Sequence, residues 1–153
     1  MIRLSRLADY GIVIMTRFAR TPGHLLTAPE VATQTRIPQP MVSKILKTLA
    51  REGMLRSHRG AKGGYSLGLD PHRLSVADVI GALEGPIALT ACVEHGSGDC
   101  EIEQFCPARS NWRRLNDAVR AALDQVSLAD MASPSPAFAL RSTTAEPAAV
   151  ALI

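Results

Sequence analysis

Three cysteines in the second half of the 153-residue chain are the residues best able to do chemistry. Cys92, Cys100 and Cys106 lie within one stretch of little periodicity, CVEHGSGDCEIEQFC. Thiolates this close in a chain can converge on a soft metal centre, and cysteine ligation is the usual way to hold an iron–sulfur cluster. The GSG between the first two cysteines lets the backbone wrap around such a centre. The spacing therefore favours a metal centre, with an iron–sulfur cluster as the first expectation.

Other uses of these thiols stay open on spacing alone. A structural zinc site could take His95 as a fourth ligand, although zinc knuckles and ribbons normally use a close C-x-x-C pair that is missing here. The thiols could also be buried structural residues, or could sense oxidants directly through a disulfide or a sulfenate. The N-terminus carries charges and no secretory signal, which predicts a cytoplasmic protein and favours metal or redox chemistry over structural disulfides.

Charge is distributed unevenly along the chain. Residues 1–73 carry 12 Lys and Arg against 4 Asp and Glu, whereas residues 74–153 carry 5 against 10. A basic first half predicts a polyanionic partner such as nucleic acid, because phosphate contacts release counterions and supply most of the non-specific affinity. The charge by itself would also fit a basic surface that is merely solvated and binds no partner.

Three helices are predicted in the basic half from apolar periodicity. The first runs over Leu4–Arg20, and the second opens at Thr27, with Glu30 three residues on as a capping box. After the tight turn of residues 38–40, the third runs over Met41–Glu52. Two short helices joined by a tight turn are the helix-turn-helix pattern. The third helix has an inward stripe of Val42, Ile45, Leu46 and Leu49, and its outward residues are Ser43, Lys44, Lys47, Thr48 and Arg51.

A β-hairpin follows the third helix. Two short predicted strands, Met54–Arg59 and Tyr65–Leu69, lie around a glycine-rich turn that bears Arg59 and Lys62. A hairpin directly after a helix-turn-helix is a wing. The predicted fold is therefore mostly α, a winged helix-turn-helix with a two-stranded β wing plus a long C-terminal dimerisation helix.

The second half is predicted to carry the dimer interface. Ser75 caps a helix through Glu84, and a long helix resumes at Asn111. Its heptad-spaced apolar residues suit a partner helix, so a homodimer is expected, although they could instead pack on the chain's own core. These residues are Trp112, Leu115, Val119, Ala122, Val126 and Ala129. The predicted organisation is a DNA-binding module in 1–73, a cluster loop and dimerisation helix in 74–132, and a disordered tail in 133–153.

Several function classes are excluded by what the sequence lacks. No Ser-His-Asp order, phosphate-binding loop or dinucleotide fingerprint is present, and the four histidines are scattered, so no enzyme is expected. No stretch is long and apolar enough to span a bilayer, so no membrane partner is expected. A protein that only carries iron–sulfur clusters and does not bind DNA is disfavoured, because that function would not explain the basic helix and hairpin.

The ordered motifs IRLSRLADYGI, RGAKGGYSLG and SVADVIGALEG, followed by three cysteines, resemble the IscR/NsrR/RirA family of iron–sulfur winged-helix regulators. The resemblance covers residues 1–132 and is most specific to regulators of the SUF cluster-assembly operon, where a longer first cysteine gap also occurs. It implies a homodimer on a double-stranded DNA operator, most simply a repressor of iron–sulfur assembly genes. The cofactor implied is a 2Fe–2S or 4Fe–4S cluster held by the three cysteines.

The resemblance also assigns residues to DNA. The recognition helix corresponds to Pro40–Arg51 and enters the major groove, and Arg59 matches a wing arginine that enters a narrow minor groove. His58, beside it, is expected to contact phosphate. The full expected DNA-contacting set is Gln39, Ser43, Lys44, Lys47, Arg51, His58, Arg59 and Lys62.

The fourth cluster ligand is where members of this family differ. Some use a histidine three residues after the last cysteine, but that position is Arg109 here, which cannot ligate. Others use an aspartate on the first helix of the opposite subunit, and that position matches Asp9. Asp9 is therefore the expected fourth ligand, with Glu101, Glu103, His95 or solvent as alternatives. Alternatively, Asp9 is an ordinary exposed acid that pairs with Arg6 or Arg20.

Overall fold

A computed structural model describes residues 3–60, 62–93 and 100–133 of the chain. Over these ranges the chain forms six α-helices and one antiparallel two-stranded sheet, which confirms the predicted winged helix-turn-helix. The helices are α1 Arg6–Ala19, α2 Ala28–Thr35, α3 Gln39–Arg51, α4 Val76–Glu84, α5 Arg109–Asp124 and α6 Leu128–Ala132. The strands are β1 Leu55–His58 and β2 Gly64–Leu67, and short 3₁₀ turns cover Pro71–Arg73 and Glu103–Phe105.

Helix α1 lies at the centre of the core. It begins after Ser5, whose hydroxyl accepts hydrogen bonds from the N–H groups of Leu7 at 3.1 Å and Ala8 at 3.2 Å. Leu4, predicted to lie inside the helix, precedes it and is exposed. Ile14 is fully buried in the middle of the helix. Helices α2, α3, α4 and α6 all pack against α1, so more than one of its sides faces the core.

The turn between α2 and α3 sets the helix-turn-helix geometry. The predicted capping box of α2 is confirmed, since the Thr27 N–H donates to Glu30 Oε2 at 2.7 Å and the Glu30 N–H donates back to Thr27 Oγ1 at 3.4 Å. Helix α2 ends at Thr35, and the next residue, Arg36, takes the left-handed conformation with φ 59°. Helix α3 then starts two residues before the predicted Met41, because prolines fit the first turn, where no N–H partner is needed.

Helix α3 turns its predicted stripe inward. Its four apolar residues are all fully buried, which leaves the polar side of the helix at the surface. The buried residues are Val42, Ile45, Leu46 and Leu49.

The wing is held at its base by a third backbone segment. Strands β1 and β2 pair with Leu55 opposite Leu67 and His58 opposite Gly64. Leu26 and Tyr65 exchange two backbone hydrogen bonds of 2.9 and 2.8 Å, which fixes β2 against the residues before α2. A Cβ at Gly64 would lie 2.8 Å from the Leu26 carbonyl oxygen, so this close approach requires glycine.

The predicted long C-terminal helix is broken in two. Helix α5 ends at Asp124, and Ser127 caps the separate helix α6. The break has a packing cause. The Val76 N–H donates to the Val126 carbonyl at 2.9 Å, and the Leu128 N–H donates to the Leu74 carbonyl at 2.8 Å, which draws the chain back onto α4. Val126 therefore lies outside the helix, and the prediction that it continues the heptad seam is wrong.

The two halves of the chain share one core. Leu74, Val79 and Ile80 from the α4 region and Leu128 from α6 are buried together with the apolar residues of α1 and α3. In the parts of the chain that the structure describes, no helix combines the length and apolarity needed to cross a membrane.

Candidate functional site

The exposed side of α3 carries the polar residues predicted to meet nucleic acid. Lys44 and Lys47 are exposed near its middle, Ser43 is half-buried, and Gln39 is exposed in the first turn. Arg51 lies in the last turn and pairs with Glu52, with Nε and Oε1 3.2 Å apart. An exposed pair of this kind is weakly held, so the guanidinium can exchange its partner for a phosphate.

The wing places its basic residues beyond the paired strands. His58 and Ser66 join β1 to β2 through a hydrogen bond of 2.9 Å between Nε2 and Oγ. Arg59 follows β1, Lys62 lies in the turn, and both are exposed. Strand β1 packs against α3, so the wing and the exposed side of α3 belong to neighbouring elements.

Two exposed arginines near this surface were missing from the predicted set. Arg56 lies on β1 next to the buried Leu55, and strand alternation in the sequence would have placed it outward. Arg36 lies in the turn between α2 and α3. No sequence signal marks Arg36, because a left-handed arginine is uncommon and cannot be read from residue type.

The relative position of α1 and α2 is fixed by one arginine. Arg17 Nε donates to Gln34 Oε1 at 2.6 Å, and its Nη1 donates to Thr21 Oγ1 at 3.0 Å. At the start of α2, hydrogen bonds from the backbone N–H and then the hydroxyl of Thr27 hold the pKa of Glu30 below its ordinary value. Both arrangements stabilise the helix that leads into the recognition turn.

The cysteine segment joins α4 to α5. Cys92, Cys100 and Cys106 are all free and half-buried, and Cys92 Sγ lies 3.2 Å from Thr90 Oγ1 in a hydrogen bond. Residues 94–99, including the candidate zinc ligand His95, lie outside the described residues. Within the ranges that are described, no three His, Cys, Asp or Glu side chains come close enough together to hold a metal ion.

Asp9 and the acidic residues of the segment occupy different surroundings. Asp9 is exposed in the first turn of α1, and Glu101 is exposed beside Cys100. Glu103 is already paired, because its Oε1 lies 2.6 Å from Arg109 Nη2. Of the two glutamates, Glu103 would have to give up an ion pair before it could ligate a metal.

Arg109 stands at the start of α5, three residues after the last cysteine. Its backbone N–H donates to the Cys106 carbonyl at 3.3 Å, while its Nε is buried and has no hydrogen-bond partner within the described chain. By residue type, the three free thiols of this segment are ligands that fit an iron–sulfur centre, although the described residues do not bring them together.

The start of the cysteine segment is tied to α5. Asn116 is the one polar residue that is buried in the described part of the chain, and its Oδ1 accepts a hydrogen bond of 3.0 Å from the Leu89 N–H. The chain that leads to Cys92 is therefore hydrogen-bonded to α5.

The predicted dimerisation residues of α5 are largely uncovered within one chain. Trp112 and Leu115 are 37% and 52% exposed, Ala122 is exposed and Val119 is half-buried. Phe105 in the 3₁₀ turn before α5 and Ile102, which precedes that turn, add further exposed apolar surface. A second copy of the chain could cover this surface.

The sequence of this chain is similar to one protein family and to individual transcriptional regulators. The sequence model of the Rrf2 family, described as an iron-dependent transcriptional regulator, matches residues 4–134. The transcriptional regulator CymR of Bacillus subtilis is 32% identical over 133 residues, which cover 86% of this chain and 91% of CymR. IscR of Vibrio cholerae is 25% identical over 131 residues, covering 85% of this chain and 75% of IscR.

Solved structures give the same assignment of fold. CymR, the global cysteine regulator of B. subtilis, superposes with a TM-score of 0.70 and 32% identity, over 88% of this chain and 99% of CymR. T. potens IscR superposes with a TM-score of 0.67 and 26% identity, over 85% of each chain. These relatives are transcriptional regulators rather than enzymes, as the sequence predicted.

Proposed function

This chain belongs to the Rrf2 family of transcriptional regulators, and we propose that its operator affinity is switched by an iron–sulfur cluster bound to Cys92, Cys100 and Cys106. The observation that carries the proposal is the presence of three free, half-buried thiols in the segment between α4 and α5. The iron-dependent description of the family agrees with it. The genes proposed to be regulated, by repression, are those of iron–sulfur assembly, including a SUF operon.

The DNA-binding part of the proposal rests on α3 and the wing. Family members bind DNA as dimers, and α3 is the second helix of the helix-turn-helix, which enters the major groove. The wing then reaches the flanking minor groove with Arg59. The contacting residues proposed are Gln39, Ser43, Lys44, Lys47, Arg51, His58, Arg59 and Lys62.

The cluster would be held by the three cysteines and, from the partner subunit, by the residue equivalent to Asp9. When bound, such a centre supplies a redox-active and chemically labile group, and an oxygen ligand at one corner makes it easier to lose. This chain's own contribution is to hold the three thiols in a segment that begins at the Leu89–Asn116 hydrogen bond and ends on α5.

Coupling between the cysteine segment and DNA follows from where the segment lies. Helix α4 packs on α1 and α3, and α5 carries the exposed residues Trp112 and Leu115 proposed for the dimer interface. Reordering the segment would shift α5 relative to the DNA-binding core and so change the distance between the two recognition helices of a dimer. A coupling free energy of about 1–3 kcal/mol corresponds to roughly a 5–150-fold change in affinity.

A metal-free thiol sensor is the second candidate. It is favoured by one observation, that the described part of the chain gathers no three metal-ligating side chains. In this version oxidation joins or modifies the half-buried thiols directly, and peroxide and reductant act without a metal. A zinc-containing repressor would also use these thiols but would give a colourless protein.

The separating experiment is anaerobic purification of the wild-type chain and of Cys92→Ala, with visible absorption, iron, sulfide and zinc measured on each. The cluster proposal predicts a charge-transfer band with bound iron and sulfide in the wild type and its loss in the variant. A colourless wild type after anaerobic reconstitution contradicts the proposal. Zinc in that protein would then indicate the zinc repressor, and peroxide-dependent DNA binding without metal would indicate the thiol sensor.

A further inference from the structure

Arg36 is the one residue other than glycine that has a positive φ in the described part of the chain. Its φ of 59° and ψ of 22° place it in the left-handed region directly after α2. This conformation costs an L-residue free energy, and glycine or asparagine is its usual occupant. Backbone strain of this kind persists only where the surrounding structure holds it, and it is concentrated at functional sites.

The backbone on both sides of Arg36 is anchored. The Thr35 hydroxyl donates to the Val31 carbonyl at 2.7 Å and accepts a hydrogen bond of 3.4 Å from the Ile37 N–H. Ile37 is only 6% exposed and belongs to the core. The turn is therefore fixed immediately before and immediately after Arg36, so the arginine side chain extends from a backbone of defined position.

The Arg36 side chain is exposed and has no hydrogen-bond or ion-pair partner within the described residues. Its surroundings in sequence are purely basic, because residues 31–51 carry four exposed cations and no Asp or Glu. These cations are Arg36, Lys44, Lys47 and Arg51. Three of them lie on α3, and Arg36 lies three residues before Gln39, where α3 begins. The missing partner of this guanidinium is therefore an anion from outside the chain.

We propose that Arg36 contacts a phosphate of the DNA backbone beside the major groove that α3 enters. The proposal rests on the DNA interface of α3 and the wing proposed above, and it adds a contact that lies outside both elements. The planar guanidinium of an arginine can donate to two phosphate oxygens at once. Phosphates are the same at every base pair, so the contact positions the recognition helix and raises the affinity for all sequences alike.

Replacement of Arg36 by glycine has opposite effects on stability and on DNA binding. Glycine takes the left-handed conformation without a steric penalty, whereas glutamine keeps the strain. Arg36→Gly is therefore expected to unfold about 2–4 °C above Arg36→Gln. Both variants lose the cation, so both are expected to lose the phosphate contact. An arginine that served only the fold would leave DNA binding unchanged in both.

The experiment measures binding of the full chain to mixed-sequence duplex DNA over a range of salt concentrations, together with thermal unfolding of each variant. We expect Arg36→Gln and Arg36→Gly to reduce the slope of log K against log salt by about 1, because one fewer counterion is released. Arg36→Lys keeps the charge, and its slope is expected to stay near that of the wild type.

Two control variants locate the effect. Lys47→Gln removes a cation from the exposed side of α3 and is expected to reduce the slope as Arg36→Gln does. Arg120→Gln makes the same charge change on α5, where the Arg120 Nε lies 3.8 Å from Asp124 Oδ2, and it is expected to leave the slope unchanged.

The controls separate failure of the Arg36 contact from failure of the interface. A slope that falls in Lys47→Gln but not in Arg36→Gln or Arg36→Gly overturns the Arg36 contact and leaves the interface standing. Unchanged slopes in all of these variants overturn the interface and the Arg36 contact with it. An equal fall in Arg120→Gln reflects net charge and also overturns the contact. If Arg36→Gln fails to fold, Arg36→Gly decides: a reduced slope supports the contact, and an unchanged slope contradicts it.

Discussion

The backbone N–H of Leu89 donates a hydrogen bond of 3.0 Å to the side-chain oxygen of Asn116, a residue that is only 5% exposed on α5. Leu89 lies three residues before Cys92, so this bond connects the start of the cysteine segment to the helix that carries the proposed dimer surface. It is a long-range contact between two segments that neither periodicity nor motif spacing could pair.

Replacement of Asn116 tests this connection. Asn116→Leu leaves the Leu89 N–H without its acceptor, and a lost partner in a buried site costs about 1–3 kcal/mol of unfolding free energy. Urea unfolding of the full chain measures the loss. The matched control is Asn111→Leu at an exposed position of α5, where the change should stay within about 0.5 kcal/mol. Equal losses in the two variants would contradict the structural role of the bond.

Removal of single basic residues should change the salt dependence of DNA binding. Lys47→Ala and Arg59→Ala each delete an exposed cation on the proposed interface, whereas Arg120→Ala deletes one on α5. Each lost phosphate contact lowers the slope of log K against log salt by about 1, because fewer counterions are released. Binding measured between low and moderate salt on duplex DNA gives the slope. Equal slopes in all three variants would place the interface elsewhere.

Two glycines in neighbouring helices should respond differently to alanine. Gly81 lies in α4, and a Cβ there would meet no atom within 4 Å, so Gly81→Ala should stabilise the chain by about 0.5–1 kcal/mol. A Cβ at Gly11 in α1 would meet Leu83 Cδ1, so the Leu83 side chain must rotate away and Gly11→Ala should gain less stability than Gly81→Ala. Thermal unfolding compares the stabilities of the two variants, and a Gly11→Ala chain as stable as Gly81→Ala would contradict the contact between Gly11 and Leu83.

Glu30 should make stability depend on pH on the acid side. The backbone and hydroxyl hydrogen bonds from Thr27 lower the pKa of Glu30 in the folded chain. The stability that the Glu30 carboxylate contributes is therefore fully present above the pKa that Glu30 has in the unfolded chain. It is lost as the pH falls through the lower pKa that Glu30 has in the folded chain. The difference in unfolding free energy between wild type and Glu30→Gln should narrow as the solution is acidified. A difference that does not vary with pH would mean that the capping box is not formed in solution.

Local features of this fold could be predicted because they depend on neighbours in sequence. The Thr27–Glu30 capping box and the buried stripe of α3 each follow from spacing within one helix, and both are confirmed. Features that depend on contacts between segments distant in sequence could not be predicted. Ile14 is buried because α1 is covered on several sides, and α5 stops at Asp124 because backbone bonds join Val76 to Val126 and Leu128 to Leu74.

The candidate site was predictable in its residue types but not in its arrangement. Cysteine spacing indicated a metal centre, and the outward residues of α3 indicated a DNA-binding surface. The unpartnered Nε of Arg109 and its pairing with Glu103 depend on how the 3₁₀ turn folds against the start of α5. The sequence by itself indicates only that Arg109 cannot replace a histidine as a ligand of the cluster.

Control of DNA binding by the state of the cysteine segment is tested by the operator affinity of the protein with and without its cluster. An operator is first selected from a random-sequence pool with anaerobically purified protein. Its affinity is then measured for cluster-loaded wild type, cluster-free wild type and Cys92→Ala at one salt concentration. We expect the affinities of loaded and cluster-free wild type to differ by roughly 5–150-fold, and Cys92→Ala to behave as the cluster-free form under both conditions. Equal affinity of the loaded and cluster-free wild type would contradict it.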